Sequence, residues 1–280
     1  MTVAPDDRAG VAAASSTPGS RTPDDLAGVA AGPPAPGSRR PDDRSGVAAA
    51  PPGSRTADDL AGVAAGPPAP GSRTLAQILA RAERQERLSA DPWLELVPAP
   101  SPGRAAVVSF PGYVVVAADV DRAWVDSWMG DGDFGRPTGP PFLGALEERL
   151  RVEAGNLDAL LLGTPLPGDP PIELTRLEHS RHARVVRAHR YRTDVRAWAG
   201  AHGILVIGRG LGGRWEAAFE VDEDARGRGY GRALATAARH LVPDGRPIWA
   251  QCAPGNASSL RALLAAGYLP IGSEVLLIPA

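Results

Sequence analysis

The sequence Val221-Asp-Glu-Asp-Ala-Arg-Gly-Arg-Gly-Tyr-Gly-Arg-Ala-Leu234 connects two segments with different periodicities. Residues 214–221 combine aromatic and β-branched side chains and follow the turn pair Gly212-Gly213, which predicts a strand. After the stretch, apolar residues recur at the spacing of one helix face: Tyr230, Leu234, Ala238 and Leu241. The stretch is therefore predicted to be an Arg/Gly-rich loop between a strand and the first turn of a helix.

This loop has the features of an anion-binding site. The first turn of a helix has backbone N–H groups without partners, and the peptide dipoles place positive potential there. Glycine lacks the Cβ atom that would keep a phosphate at a distance. Arg226, Arg228 and Arg232 add positive charge. We therefore predict a pyrophosphate site in this loop.

Two common phosphate loops do not fit the sequence. A Walker A loop requires a Lys, and the 280 residues contain none. A dinucleotide fingerprint requires Gly-x-Gly-x-x-Gly/Ala, but its last position is Arg232 when counted from Gly227 and Leu234 when counted from Gly229. The pattern that remains is Arg-x-x-Gly-x-Gly at positions 226, 229 and 231.

This pattern resembles the acetyl-coenzyme A loop of the GCN5-related N-acetyltransferases, the GNAT family. In that family an Arg/Gln-x-x-Gly-x-Gly/Ala loop between the fourth strand and the third helix holds the pyrophosphate of CoA. A predicted strand at 247–252 then leads to Asn256, and the segment up to Gly267-Tyr268 is similar to the family's Asn-x-x-small helix, which ends in Gly and an aromatic residue. The close match covers about 213–278, with 268–278 expected to form a closing hairpin.

The resemblance implies an α/β fold with a mixed, mainly antiparallel sheet flanked by helices, and acetyl-CoA as co-substrate. It places the pantetheine arm along the backbone near Phe219 and Val221. It places the pyrophosphate on the loop residues Arg226, Gly227, Arg228, Gly229, Tyr230, Gly231 and Arg232. Asn256 matches an Asn that contacts the cofactor in the family, although Asn256 with Ser259 also has the pattern of a helix N-cap.

The resemblance also implies a general base on the strand before the loop. The family's usual Glu position is occupied by Trp215, so we predict Glu216 as the base, with Glu220 on the same strand face. A β-bulge would turn Glu216 toward the site. The alternative is that Glu216 is a surface carboxylate.

The general acid departs from the family pattern. Leu263 occupies the position where many members have a Tyr, and Tyr268 matches the structural aromatic residue instead. Cys252 and Ser258 are the substitutes nearby, although Cys252 also suits apolar packing. Two functions therefore remain open. The chain is an N-acetyltransferase acting on an amine of a small molecule or protein, or it is a catalytically inactive acyl-CoA-binding sensor or scaffold.

By the same resemblance, an acceptor pocket is expected near the residues Trp124, Asp126, Trp128, Asp131 and Asp133. Carboxylates beside indoles favour a cationic amine. The alternative is that the Trp residues are core and the Asp residues belong to loops. His179 and His182 have a spacing seen in metal sites, but two ligands are too few, and no metal is predicted.

The chain divides into three predicted parts. Residues 1–74 repeat a unit of about 18 residues that lacks aromatic side chains, so this part is predicted to be a disordered tail. Residues 75–170 are an N-terminal α/β part, and residues 171–280 are the acyl-CoA-binding core. The alternative is one domain over 104–280, in which 113–118 and the helices at 121–129 and 141–154 are the family's first strand and first two helices.

Composition limits the class of protein. With 30 basic and 32 acidic residues the chain lacks the positive field that nucleic acid requires. One Cys suits a reducing compartment, and we find neither a signal peptide nor an apolar run of membrane-spanning length. These features predict a cytoplasmic protein that binds neither nucleic acid nor membrane, with its oligomeric state open.

Overall fold

The structure, a computed structural model, describes residues 73–88, 92–130 and 132–279. The predicted repeat tail lies outside the described residues, except for its last two positions. The strands of the described residues are β1 (Leu94–Val97), β2 (Ala105–Phe110), β3 (Tyr113–Ala117), β4 (Val152–Gly163), β5 (Thr175–Leu177), β6 (Thr193–Gly200), β7 (Gly203–Arg209), β8 (Trp215–Val221), β9 (Ile248–Cys252) and β10 (Leu269–Pro279). The α-helices are α1 (Leu75–Glu83), α2 (Arg122–Met129), α3 (Pro140–Leu150), α4 (Ala183–Tyr191), α5 (Tyr230–Leu241) and α6 (Ala257–Ala265).

All of these strands belong to one sheet, with the order β1-β3-β2-β10-β4-β9-β8-β7-β6-β5. Neighbouring strands are antiparallel except for the pairs β1/β3 and β8/β9. The predicted mixed, mainly antiparallel sheet is therefore confirmed. β6, β7 and β8 form an antiparallel meander.

Helices cover both faces of the sheet. On one face, α1 packs against a cluster that contains Leu160 and Trp249, and α4 packs against Ala197 and Val206. On the opposite face, α5 and α6 pack over Trp215 and its neighbours, while α2 and α3 cover the other half of the sheet. Because side chains alternate along a strand, each central strand contributes to both clusters.

Strand β4 joins the two halves of the chain. It pairs with β9 from Ala159↔Cys252 to Gly163↔Ile248, and with β10 along its other edge. β4 precedes the predicted boundary at residue 170, while β9 and β10 follow it. Strands from both sides of that boundary are therefore hydrogen-bonded side by side.

The predicted hairpin at 268–278 is wrong, because β10 is one strand of 11 residues. It pairs with β2 on one side and with β4 on the other. A Cβ atom on Gly272, within this strand, would overlap the carbonyl oxygen of Ser109 in β2. Gly272 therefore permits close approach of two strands, which a local sequence signal cannot distinguish from a turn.

Two helix ends before the meander are defined by the structure: the end of α3 and the start of α4. The helix expected over 141–154 ends at Leu150, after which Arg151 has φ 55° and β4 begins. The first turn of α4 is capped by His182, whose Nδ1 accepts a hydrogen bond from Arg184 N–H at 3.2 Å. His182 therefore serves as an N-cap.

Candidate active site

The strands β8 and β9 are parallel neighbours that diverge. Among the described residues, their recorded pairing is confined to Glu216↔Trp249. On its other side β8 pairs with β7 along its whole length, from Arg209↔Trp215 to Gly203↔Val221. The backbone of β8 that faces β9, up to Phe219 and Val221, is therefore free for an extended ligand.

The loop that follows β8 is open where a phosphate would approach. We call residues 226–232 the glycine loop. Gly227 and Gly229 have φ values of 74° and 89°, and a Cβ atom at either position would meet nothing within 4 Å. Gly229 is the N-cap of α5, has no side-chain cap, and accepts a hydrogen bond from Ala233 N–H at 3.1 Å. The N–H groups of the residues in between have no partner within the helix.

The charges of the glycine loop are on its surface. Arg228 and Arg232 are exposed, while Arg226 is half-buried. The ring of Tyr230 lies 4.5 Å from the ring of His202. The structure thus brings together the cationic side chains and the backbone donors that the sequence predicted for a pyrophosphate.

Asn256 has the structural role that was considered as an alternative. Its Oδ1 accepts a hydrogen bond from Ser259 N–H at 3.0 Å, so Asn256 is the N-cap of α6. The side chain is buried, and its Nδ2 has no partner among the described residues. Asn256 therefore fixes the start of α6 beside the strand opening.

A cavity of about 640 Å³ lies beside the point where β8 and β9 diverge, on the face covered by α1 and α4. A pocket of this size accommodates a small molecule. Its polar lining includes side chains from three strands, from α4 and from the residue after it: Asp158, Arg187, Tyr191, Arg192, Glu216 and Gln251. Further polar side chains come from the segment before β2 and from the first half of β4: Ser101, Arg104, Glu153 and Asn156.

Glu216 lines this cavity and is fully engaged. One carboxylate oxygen accepts from Arg192 Nε at 2.9 Å. The other accepts from Arg214 Nε at 2.8 Å, Gln251 Nε2 at 3.1 Å and Leu211 N–H at 3.2 Å. Burial alone would raise the pKa of Glu216, but the guanidinium groups of Arg214 and Arg192 hold it below its usual value. Glu216 is thus a fixed anion with low proton affinity.

The orientation of Glu216 needs no bulge, because β7 and β8 pair in unbroken register. Trp215 packs on the α5 side, so ordinary alternation turns Glu216 to the cavity side. Glu220 faces the same side further along β8. Its side chain is 42% exposed and accepts from Arg184 Nε at 3.0 Å.

Residues 167–268 match the model of the acetyltransferase (GNAT) family. This segment is a GNAT-family domain. It runs from just before β5 to the end of α6, and it contains the glycine loop and the diverging strands. No curated protein matches the chain.

Two solved structures are similar to the chain. A GCN5-related N-acetyltransferase from Kribbella flavida has a TM-score of 0.33 and 18% identity over 49% of this chain and 63% of that chain. A GNAT-family acetyltransferase from Novosphingobium aromaticivorans has a TM-score of 0.32 and 15% identity over 46% of this chain and 68% of that chain. The chain thus spans less than two thirds of the first structure, and at this similarity neither bears on activity or substrate.

Asp158 in β4 lies outside the GNAT segment and was missed in the sequence. Its side chain is 3% exposed and lines the cavity, and its Oδ1 has no hydrogen-bond partner among the described residues. Burial, together with the nearby Glu274, raises the pKa of Asp158 to about 7. The signal available in the sequence was one carboxylate within the apolar run of β4.

A buried ion network continues under the cavity. Arg214 donates from Nε to Glu216 and from Nη2 to Glu274 at 2.7 Å, and Gln251 Nε2 also bonds to Glu274 at 2.8 Å. Burial disfavours the charge of Arg214, but Glu274 and Glu216 raise its pKa above the usual value. We call the set Asp158, Arg214, Glu216, Gln251 and Glu274 the charged floor.

The residues expected at the acceptor side do not line this cavity. Trp124 and Trp128 pack against Phe142 at 5.8 and 6.4 Å between ring centroids, on the opposite face of the sheet. Asp126 pairs with a helix arginine, and Asp133 accepts a loop N–H. Asp131 lies outside the described residues. The core-and-loop alternative therefore describes these side chains better, and the helix beside the cavity is α4.

The candidates for a general acid are either buried in the core or exposed on the surface. Leu263 is in the core, and Ser258 is exposed. Cys252 is fully buried, and burial together with Asp158 raises the pKa of its thiol to about 11. Tyr268 is buried and donates its hydroxyl to Ala235 O at 3.2 Å, which fits the predicted structural role.

Within residues 73–88, 92–130 and 132–279, every helix is too short or too polar to span a membrane. Nor do three or more His, Cys, Asp or Glu side chains in those ranges converge in a way that would hold a metal ion.

Proposed function

We propose that this protein transfers an acetyl group from acetyl-CoA to an amine. The observation that carries the proposal is the opening between β8 and β9, which leads at its wide end into the glycine loop and the uncapped start of α5. The match of residues 167–268 to the GNAT family supports the same chemistry. The single, buried Cys is compatible with the cytoplasmic location that we propose.

The cofactor would lie along the free edge of β8. The backbone near Phe219 and Val221 would bind the pantetheine arm, and the N–H groups and arginines of the glycine loop would bind the pyrophosphate. The thioester would then reach the narrow end of the opening, beside Glu216 and Gln251. This is also where the cavity begins.

In this reaction the neutral amine attacks the carbonyl carbon of the thioester. A C–N bond forms, the C–S bond breaks, and the electron pair of that bond leaves with the CoA sulfur, which takes up a proton. Backbone N–H groups along β8 would stabilise the negative charge on the carbonyl oxygen. Glu216, whose oxygens are already occupied, would act through its charge and its contacts and would not accept the proton.

A second function is an acyl-CoA-binding protein without turnover. Two observations favour it: Leu263 occupies the usual acid position, and Glu216 is neutralised by Arg192 and Arg214. Both functions predict acetyl-CoA binding, whereas only the first predicts release of the CoA thiol in the presence of an amine.

Thermal unfolding with and without acetyl-CoA tests the cofactor site. At about 100 times its dissociation constant, acetyl-CoA should stabilise the protein by about 2.7 kcal/mol. The double variant Arg228→Glu/Arg232→Glu should unfold at the wild-type temperature without ligand and should lose the ligand-induced shift. Arg84→Glu/Arg122→Glu changes charge equally at two other exposed sites and should keep the shift. No shift for the folded wild type at millimolar acetyl-CoA would contradict the proposal.

A further inference from the structure

The cavity is lined by a buried carboxyl group that lacks a hydrogen-bond partner on one oxygen among the described residues. Asp158 is 3% exposed, and its Oδ1 has no partner among the described residues. An isolated buried carboxylate is costly, so a group of this kind is expected to have a cationic or hydrogen-bonding ligand. Because Asp158 lines the cavity, the missing partner would be a molecule bound there.

The strand order places Asp158 near the reacting atoms. β4 is hydrogen-bonded to β9, and β9 forms one wall of the opening that would receive the thioester. Leu160, two residues after Asp158, pairs with Gln251, and Gln251 is hydrogen-bonded to Glu216 at the narrow end of the opening. Asp158, Gln251 and Glu216 line the same cavity, so one small amine there lies between Asp158 and the narrow end.

A second unmatched charge lines the same cavity. Arg187 on α4 is half-buried and lies over the ring of Tyr191 at 5.2 Å, but no carboxylate is recorded with it among the described residues. Burial lowers its pKa, and the neighbouring Arg184, Arg192 and Arg190 lower it further. An anionic group of a ligand would supply the missing counter-charge.

We propose that the cavity is the acceptor site, that Asp158 binds the acceptor's ammonium group and removes its proton, and that Arg187 binds an anionic group of the same molecule. This inference rests on the proposed acetyl transfer and names its substrate class: a small amine that also carries a carboxylate or a phosphate. The catalytic carboxylate then comes from β4, outside the GNAT segment.

The proton balance is simple. The ammonium ion gives one proton to the Asp158 carboxylate and becomes the neutral nucleophile. After the nitrogen attacks and the thiolate leaves, the second nitrogen proton passes to the sulfur, giving the amide and the free thiol of CoA. Asp158 then releases its proton to water, which restores the carboxylate.

Several ionisable groups face Asp158 or line the same cavity, but its pKa is raised by burial and by the charge of Glu274. Glu274 lies directly opposite it on β10, and its charge opposes ionisation of Asp158. The other groups come from each neighbouring element: Cys252 on β9, Arg214 and Glu216 at β8, Arg187, Tyr191 and Arg192 at α4, Arg104 before β2, and Glu153 on β4 itself. With a pKa of about 7, Asp158 is matched to accepting a proton at neutral pH.

Thiol release from acetyl-CoA by the full chain tests this assignment. The probes are matched amines: β-alanine and propylamine, 4-aminobutyrate and butylamine, O-phosphoethanolamine and ethanolamine. We expect the anionic member of at least one pair to have a kcat/KM at least tenfold above its partner. Arg187→Gln should raise the KM of that member and leave its uncharged-tail partner unchanged.

Asp158→Asn should lower kcat about 100-fold or more and remove the loss of activity below about pH 7 that the wild type should show. Glu148→Gln, which changes an exposed carboxylate on α3 outside the cavity lining, should keep the wild-type rate and pH profile. Acetyl-CoA should stabilise all three variants as it does the wild type.

Three results would overturn the inference while the acetyl-CoA site stands. Asp158→Asn has the wild-type rate and pH profile, the paired amines react equally, or the wild type binds acetyl-CoA and acetylates none of the six amines. Failure of acetyl-CoA to stabilise the wild type is a different result, because it contradicts the cofactor site itself.

Discussion

The glycine loop and the charged floor use charge in opposite ways. In the glycine loop, Arg228 and Arg232 are exposed, and a Cβ atom at Gly227 or Gly229 would meet nothing within 4 Å. In the charged floor, Arg214 and Glu274 are each 1% exposed and hold each other in place. Exposed charge contributes little to stability, whereas buried charge is tolerated only with partners. We therefore expect substitutions in the glycine loop to change ligand binding without changing stability. Substitutions in the charged floor should change stability as well.

The largest expected effect is on Arg214. Arg214→Met removes the guanidinium group that Glu216 and Glu274 share and leaves Glu274 buried without a cationic partner among the described residues, so we expect the free energy of unfolding to fall by about 3–5 kcal/mol. Denaturant unfolding measures this loss. In the double variant Arg214→Met/Glu274→Gln an amide replaces that unpaired carboxylate while Glu216 keeps its ion pair with Arg192, and part of the stability should return. A loss below about 1 kcal/mol for Arg214→Met would show that the ion pairs of the charged floor contribute little to the free energy of unfolding.

The next effect has the opposite sign and depends on pH. The pKa of Asp158 is raised from 3.8 to about 7 in the folded protein, so its contribution to stability is complete below pH 3.8 and is lost as pH rises through 7. Asp158→Asn avoids this loss. The variant should exceed the wild type in stability by up to about 4 kcal/mol at pH 8, with the difference vanishing near pH 4.

Unfolding free energies measured across this pH range test whether Asp158 titrates with a raised pKa in the folded protein. A constant difference between Asp158→Asn and the wild type at every pH would mean that Asp158 does not titrate as described. Glu148→Gln again serves as the control, because an exposed carboxylate on α3 outside the cavity should give no such pH-dependent gain.

A smaller effect on stability is expected when a tightly packed glycine and a glycine in open space are each replaced by Ala. Gly272→Ala forces a methyl group against the Ser109 carbonyl between β10 and β2, so we expect a loss of about 1–3 kcal/mol. Gly144→Ala in α3 meets nothing within 4 Å and should stabilise the protein by up to about 1 kcal/mol. Thermal unfolding of both variants tests the contrast. Equal effects would mean that the packing at Gly272 is not tight.

The same contrast explains what the sequence could predict. The glycine loop is contiguous, so its strand, glycines, arginines and helix start are all visible within residues 214–241. The charged floor is assembled from strands far apart in the chain: Arg214 and Glu274 are separated by 60 positions. Pairing of β4 with β9 likewise brings Asp158 to the site from outside the segment that carried the family resemblance.

Errors in the prediction have the same origin. Residues 268–278 were predicted to form a hairpin, because the close contact of Gly272 with β2 is not local in the sequence. The sequence left the indoles at 124 and 128 open between an acceptor side and the core, because their packing partner Phe142 belongs to another helix. Which helix lies over β8 and β9 depends on the order of strands in the sheet.

Calorimetric titration of acetyl-CoA into two variants tests the separation of the two regions most directly. Arg228→Glu/Arg232→Glu should weaken binding at least tenfold, because each charge-assisted contact contributes about 1.5–3 kcal/mol. Asp158→Asn should bind acetyl-CoA within about twofold of the wild type, since it acts on the acceptor alone. If Asp158→Asn loses acetyl-CoA binding, or the loop variant keeps it, the division between a cofactor loop and an acceptor floor is wrong.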